Sequence, residues 1–423
     1  MADEVAVIPH QVRERFPAMS RRVEGRPSVW LDGPGGTQVP TDVIEAMSDW
    51  FAAGGSNLGG PFAGSEASED VVRSARSAMR DLFNAASADE VAFGQNMTSL
   101  TLSLSRAISR TWNPGDEIIV SGLDHDANVW PWVLAARQRD VTVRFADIDI
   151  ETATLPVDSV AQVLSERTKL VAVTRASNAV GSLVAVDEIA QLAHDAGALV
   201  YVDSVHFAPH GSIDVQALDV DFLAASAYKF FGPHTGIVYG KRRWFDEFEA
   251  VKIRPAPDTS PDKWETGTQS FESLAGVAAA VDYLAGLGDG ASRRDALEAA
   301  FDAITQHETS LTHRFLSGIS DINGVRLYGI DAADGRVPTF AISVDGMHPD
   351  EVARRLGAIG IFVWSGHYYA VEVMERLGVI DQGGLVRIGF VHYSTFEEVD
   401  LVVEALEHLS LGKSIDGINP PRR

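Results

Sequence analysis

Two apolar runs that lead to side chains of opposite charge constrain this chain more than any other feature. Ala198 to Val202 is continuously apolar, the pattern of a strand buried on both faces, and it stops at the acid Asp203. Phe222 to Ala225 is a second such run, and Lys229 follows four residues beyond it. Parallel strands deliver side chains to a site past their carboxyl edge, so the pattern predicts that the acid and the lysine converge there. Few chemistries need that pair. A lysine amine condenses with an aldehyde, and an acid keeps a pyridine nitrogen protonated.

From Val91 onward the chain alternates strand and helix patterns, which implies right-handed crossovers and a mostly parallel sheet. The expected strands are Val91–Phe93, Glu117–Ser121, Val141–Phe145, Lys169–Thr174, Ala198–Val202, Phe222–Ala225 and Gly236–Tyr239. Helices are expected over Thr41–Trp50, Ser68–Asn84 and Asp187–Ala196, the last closing on Gly197. A small-residue helix, Leu274–Leu284, leads into Gly286-Leu287-Gly288-Asp289-Gly290, the expected domain boundary. The fold class is therefore α/β, with a large domain over 31–285 around a seven-stranded sheet and a smaller C-terminal α/β domain over 286–412.

In that smaller domain a helix is expected over Ser292–Leu316, then strands Val325–Tyr328, Thr339–Ser343, Ile361–Trp364 and Leu385–Phe390. Helices His348–Leu356 and Thr395–Leu409 complete it, and Thr395 with Glu398 forms a capping-box pattern. Residues 1–30 read as an arm packing on the small domain, with a short helix near Ile8–Phe16. Residues 413–423 read as a tail that frays at Pro420-Pro421-Arg422-Arg423.

Composition excludes whole classes of function. The 35 basic and 59 acidic residues give a formal charge of −24, which opposes binding to nucleic acid or to anionic membrane. The 423 residues contain no cysteine, which removes disulfides, thiolate metal sites and thiol nucleophiles together. Met1-Ala2-Asp3-Glu4 lacks the charged-then-apolar pattern of a secretory signal, and stretches such as Leu274–Val281 fall short of the ~20 apolar residues that span a bilayer. A cytoplasmic protein is the expectation.

The lysine sits in Ser226-Ala227-Tyr228-Lys229-Phe230-Phe231-Gly232-Pro233-His234-Thr235-Gly236. This resembles the lysine segment of class V aminotransferases and cysteine desulfurases, pyridoxal-phosphate (PLP) enzymes of fold type I, with one extra residue before the last glycine. The resemblance runs from Leu31-Asp32-Gly33-Pro34-Gly35-Gly36-Thr37 to Glu397-Glu398-Val399-Asp400. It implies a Schiff base between Lys229 and PLP, with Asp203 as partner of the pyridine nitrogen.

Other segments gain roles from the same resemblance. Phe93-Gly94-Gln95-Asn96-Met97-Thr98-Ser99 reads by itself as a polar helix cap, although a helix start also favours an anion. The family places the cofactor phosphate there, which implies Asn96, Thr98 and the backbone of Met97, with Ser226 and Tyr228. In Asp124-His125-Asp126-Ala127-Asn128, His125 would stack on the ring, where an isolated histidine reads as a surface side chain. Asn178 and His206 would meet the ring hydroxyl. The Asp32–Gly36 loop, a plain turn in isolation, would line the substrate pocket through Gly35. Arg387, whose planar fork suits a carboxylate and whose bland alternative is a structural ion pair, would join Gly35 and Asn178 in holding an amino-acid substrate. Glu265-Thr266-Gly267-Thr268 implies a homodimer with shared sites, Thr268 reaching the neighbour's phosphate.

The chain departs from the family at Trp364-Ser365-Gly366-His367-Tyr368-Tyr369-Ala370, where desulfurases carry their cysteine. Tyr369 takes that place. A persulfide on the protein is therefore ruled out, and the leading expectation is a carbon–sulfur β-lyase acting on a cysteine-derived amino acid, with Tyr369 or His367 protonating the leaving group. Lys229 would take the α-proton. Class V aminotransferase or epimerase activity are the alternatives within this chemistry, and a PLP-binding protein without turnover is the alternative outside it. Joint retention of Lys229, Asp203, His125 and Arg387 argues against that last reading, and no strand opens into Gly-x-Gly-x-x-Gly for a nicotinamide enzyme.

Overall fold

The computed structural model describes residues 11–418. All seven expected strands lie in one sheet: β1 (Val91–Gly94), β2 (Glu117–Ser121), β3 (Thr142–Ala146), β4 (Thr168–Thr174), β5 (Leu199–Asp203), β6 (Phe222–Ser226) and β7 (Gly236–Gly240). Their order is β1-β7-β6-β5-β4-β2-β3. Only β7 runs against its neighbours, β1 and β6. Because β7 returns antiparallel beside β6, the connection 227–235 is short. That tight return holds Lys229 at the sheet's carboxyl edge.

Successive residues along the strands face opposite sides of the sheet and enter two different cores. Val171, Val173, Val200, Val202, Leu223 and Ile237 pack on one face. Leu170, Ala172, Tyr201, Phe222, Ala224 and Val238 pack on the other. Each is fully buried, as in a sheet covered on both sides, and such a burial contributes ~1.5–3 kcal/mol per large aliphatic side chain. Helices Ala63–Phe83 and Val186–Asp195 cover the first face; Met97–Ile108 and Trp130–Arg137 cover the second.

A second sheet is antiparallel throughout, in the order β8 (Val325–Tyr328), β9 (Thr339–Val344), β11 (Leu385–Gly389), β10 (Trp364–Gly366). The 28-residue helix Arg293–Ser320 starts on a capping box of Ser292 and Asp295 and joins the two layers. Its Leu297, Phe301 and Ile304 enter the core of the large sheet, whereas Leu311, Phe315 and Ile319 enter that of the small one. Thr395 caps helix Phe396–Ser410 with Glu398, as the sequence pattern requires.

One expected strand is corrected. Ile361–Trp364 is not continuous: Ile361–Phe362 pairs in parallel with Val29–Trp30, and Trp364–Gly366 pairs antiparallel with residues of β11. A run of Ile-Phe-Val-Trp has one composition whichever sheet it joins, so the switch left no local mark. The expected helix near Ile8–Phe16 lies partly outside the described residues; within them a single turn, Gln11–Glu14, is helical. Residues 420–423, read as frayed, also lie outside them. Among the described residues no helix is long and apolar enough to cross a membrane.

Candidate active site

A cavity of about 900 Å³ opens at the carboxyl ends of β4, β5 and β6. The structure brings to it Gly35, Asn96, Met97, Thr98, His125, Asn178, Asp203, His206, Ser226, Tyr228, Lys229, His367, Tyr369 and Arg387. Thr268 does not line this cavity; it is exposed on the segment before helix Phe271–Ala285.

Lys229 ends in the cavity floor, where its Nζ donates to the carbonyl of Pro34 and lies 4.9 Å from the Tyr228 ring centroid. Burial, and then the charge of Arg387, lower its amine to about 7. Asp203 closes β5 and is pushed up to about 6 by burial, its Oδ1 accepting the Val205 N–H at 2.8 Å. Among the described residues Oδ2 accepts nothing. His125 is lowered to about 4, chiefly by burial, so its ring is neutral. Its Nδ1 accepts from the Ala127 N–H at 3.0 Å, which leaves the proton on Nε2. The ring stacks on Tyr369, centroids 5.5 Å apart.

The start of helix Met97–Ile108 forms one end of the cavity. Asn96 caps it, its Oδ1 accepting from Ser99 N–H at 2.9 Å, and the first intrahelical bond is Leu100 N–H to the Asn96 carbonyl. The N–H groups of Met97 and Thr98 precede that bond and point their dipoles outward. Gly236 makes this corner possible, since a Cβ there would lie 2.2 Å from the Asn96 carbonyl carbon. Ser226 and Tyr228 flank it, Tyr228 stacked flat on His234 with centroids 4.9 Å apart.

Arg387 arrives from β11 in the other sheet. Its Nη1 donates to the Asn178 carbonyl at 2.8 Å, its face lies 4.3 Å from the Tyr368 ring centroid, and its Nε is buried without a partner. Asn178 Nδ2 donates to the Tyr368 carbonyl at 2.9 Å, and its Oδ1 is buried and unpartnered. His206 Nε2 lies 3.0 Å from Thr339 Oγ1.

The 367–370 segment forms the rim. Tyr368 and Tyr369 both adopt left-handed backbone, φ 53° and 57°, a conformation that costs a non-glycine residue ~1–2 kcal/mol. Five bonds hold it: Asp126 N–H to the Tyr369 carbonyl (2.7 Å), Ala370 N–H to the His367 carbonyl (2.7 Å), Tyr369 N–H to His367 Nδ1 (3.1 Å), the Tyr368 hydroxyl to the Leu385 carbonyl, and the Asn178 bond above. The phenol of Tyr369 stays 67% exposed at the mouth.

Sequence reasoning overlooked two groups. Asp32 is half-buried, with its Oδ1 buried and unpartnered and its carboxyl raised to about 6 by desolvation against the opposing pull of Arg387 and Lys229. Trp130, Leu134 and Trp364 give the mouth an apolar wall while remaining 44%, 38% and 52% exposed. The available signal was Trp130, which follows His125 by little more than one helical turn.

The family model for class V aminotransferases matches residues 29–402. The chain belongs to that family. A probable cysteine desulfurase of Halalkalibacterium halodurans is 32% identical, over 94% of this chain and 97% of that one. A cysteine desulfurase from Thermococcus onnurineus superimposes with a TM-score of 0.86 at 27% identity, covering 97% of this chain and all of that one. One from Escherichia coli gives 0.81 at 26%, covering 95% and 98%. The architecture is fold type I, and the cofactor of this class V enzyme is PLP. The residues present fit that group. The buried, unpartnered Oδ1 of Asn178, the Asp203 carboxylate that accepts only the Val205 N–H among the described residues, the free N–H groups at the start of helix Met97–Ile108 and the buried Lys229 amine converge on one cavity, matching a hydroxyl, a ring N–H, a phosphate and an aldehyde.

Proposed function

We propose that this class V enzyme is a carbon–sulfur β-lyase for S-substituted L-cysteines, working without a protein persulfide. The observation that carries the reading is Tyr369 beside His367 at the cavity rim, in a chain with no cysteine. The apolar wall of Trp130, Leu134 and Trp364 supports an apolar sulfur substituent.

Bound PLP supplies an electron sink for the α-carbon. The chain's own groups do the rest. Asn96, Thr98, Ser226, Tyr228 and the Met97 N–H would hold its phosphate, Asp203 its ring nitrogen, His125 its face, and Asn178 and His206 its hydroxyl. Arg387, already desolvated and with a free Nε, binds the substrate carboxylate beside Gly35. Lys229, its amine lowered by burial and the charge of Arg387, would take the α-proton once released from the aldehyde. The Cβ–S bond breaks with its electron pair on sulfur, and Tyr369 or His367 gives that sulfur a proton. Water then completes release of pyruvate and ammonia. Thr268 sits exposed outside its own cavity, which supports a homodimer in which it reaches the neighbour's phosphate.

The test is a panel of S-alkyl and S-aryl L-cysteines and common L-amino acids, with pyruvate, ammonia, thiol and pyridoxamine phosphate measured. Equal yields of pyruvate and thiol are expected. Pyridoxamine phosphate without pyruvate would make the protein an aminotransferase instead, and a product of inverted configuration an epimerase.

A further inference from the structure

Behind the active site lies a second cavity of about 360 Å³, between the large sheet, helix Arg293–Ser320 and the segment entering β9. Its wall holds charged groups whose hydrogen-bonding capacity is unspent. Arg175, the residue after β4, has its guanidinium 4.1 Å from the Phe207 ring centroid and makes no side-chain hydrogen bond or ion pair among the described residues. A guanidinium stacked by its face on a ring presents its N–H edge, here to the cavity. Glu308 gives Oε2 to His210 Nδ1 at 2.8 Å, while its Oε1 is buried without a partner.

The remaining charges on this wall are Asp187, which forms no ion pair with Arg175, and Arg336. Arg336 spends four of its five N–H groups on the carbonyls of Val180, Ile330, Val337 and Thr339, which ties its guanidinium to backbone and leaves a single Nη1 N–H. Leu183, Val184, Leu218 and Val337 give it an apolar side, and Thr305, Thr309 and Thr312 line the helix side. One free planar cation, one carboxylate oxygen lacking a donor and an apolar wall are complementary to a carboxylate, an ammonium and a hydrocarbon side chain.

We infer that this cavity is a second, non-catalytic site for a free α-amino acid with a bulky apolar side chain, its carboxylate on Arg175 and its ammonium on Glu308. The site is built without any residue of the active-site cavity, and His210 lies next to that cavity's His206, ring centroids 5.4 Å apart. The inference does not depend on which reaction the enzyme catalyses.

The experiment is titration calorimetry of L-leucine into holoenzyme treated with borohydride, in which Lys229 can no longer be displaced from the cofactor. Saturable binding at one equivalent per chain is expected. Arg175→Gln removes a charge-assisted bidentate contact and is expected to weaken it about tenfold or more. Thr309→Trp, which fills the cavity from the half-exposed helix face, should abolish it even if Arg175→Gln fails to fold. With the unmodified chain, 4-methylpentanoate and isopentylamine should each bind more weakly than L-leucine. No saturable heat with L-leucine, or binding that persists unchanged in both variants and therefore belongs to Arg387, would overturn the inference.

Discussion

Arg387 and Asn178, 209 positions apart, meet through a 2.8 Å bond from guanidinium to backbone carbonyl, across the join between the two sheets. The bond fixes the arginine without neutralising it. A carboxylate partner would have consumed the charge that an amino-acid substrate needs, whereas a carbonyl leaves it available.

Arg387→Lys keeps the charge and loses the fork. KM for the amino-acid substrate is expected to rise about 10- to 100-fold, the worth of a bidentate charge-assisted pair, with kcat changed less. Steady-state kinetics decide it, and an unchanged KM would return Arg387 to the structural role of joining the sheets.

Lys229 carries a pH dependence. Only the neutral amine attacks an aldehyde, and burial with Arg387 lowers the amine to about 7 from 10.5. The rate at which apoprotein takes up PLP should therefore climb as pH rises through about 7 and level above it. In Arg387→Gln a like charge is gone, so the midpoint should move upward, though only part of the way, because burial is the larger cause and persists. Absorbance at the cofactor band across pH 5.5–9.5 reads both.

Gly236→Ala tests the phosphate corner. The new Cβ would meet the Asn96 carbonyl carbon at 2.2 Å and Met97 N at 2.6 Å, both backbone, so the helix start must shift. An overpacking penalty of ~1–3 kcal/mol directed at the cradle should weaken PLP binding about tenfold or more, with the fold retained. Equilibrium dialysis of PLP and a melting curve distinguish the two effects.

Tyr369→Phe keeps the stack on His125 and removes the phenol O–H. If that group protonates the leaving sulfur, kcat should fall ~100-fold or more with alkyl thiolate leaving groups and less with acidic aryl thiolates. A uniform or absent loss would hand the role to His367, for which His367→Asn is the matching variant.

Much of this protein was legible in one dimension. Buried strands declare themselves by continuous apolar runs, so all seven strands of the large sheet were placed to within a residue or two, and the residues just past their ends marked the site. Caps such as Thr395 with Glu398 are equally local. The absence of cysteine needed only the sequence, because chemistry that requires a thiol ends where the thiol is missing.

Tertiary structure alone decided the rest. Apolar composition rewards burial against any partner, so it could not show that residues 361–366 change sheets, that Asn178 shares a bond with Arg387, or that Gly236 must lack a side chain because Asn96 lies against it. Nor could it place Asp32 in the desolvated neighbourhood of Lys229, or set Arg175 and Glu308 in the wall of one cavity. Hydrophobic periodicity is read over one turn or one strand, whereas these contacts join residues from separate elements, most of them more than a hundred positions apart, and are fixed by how the layers pack.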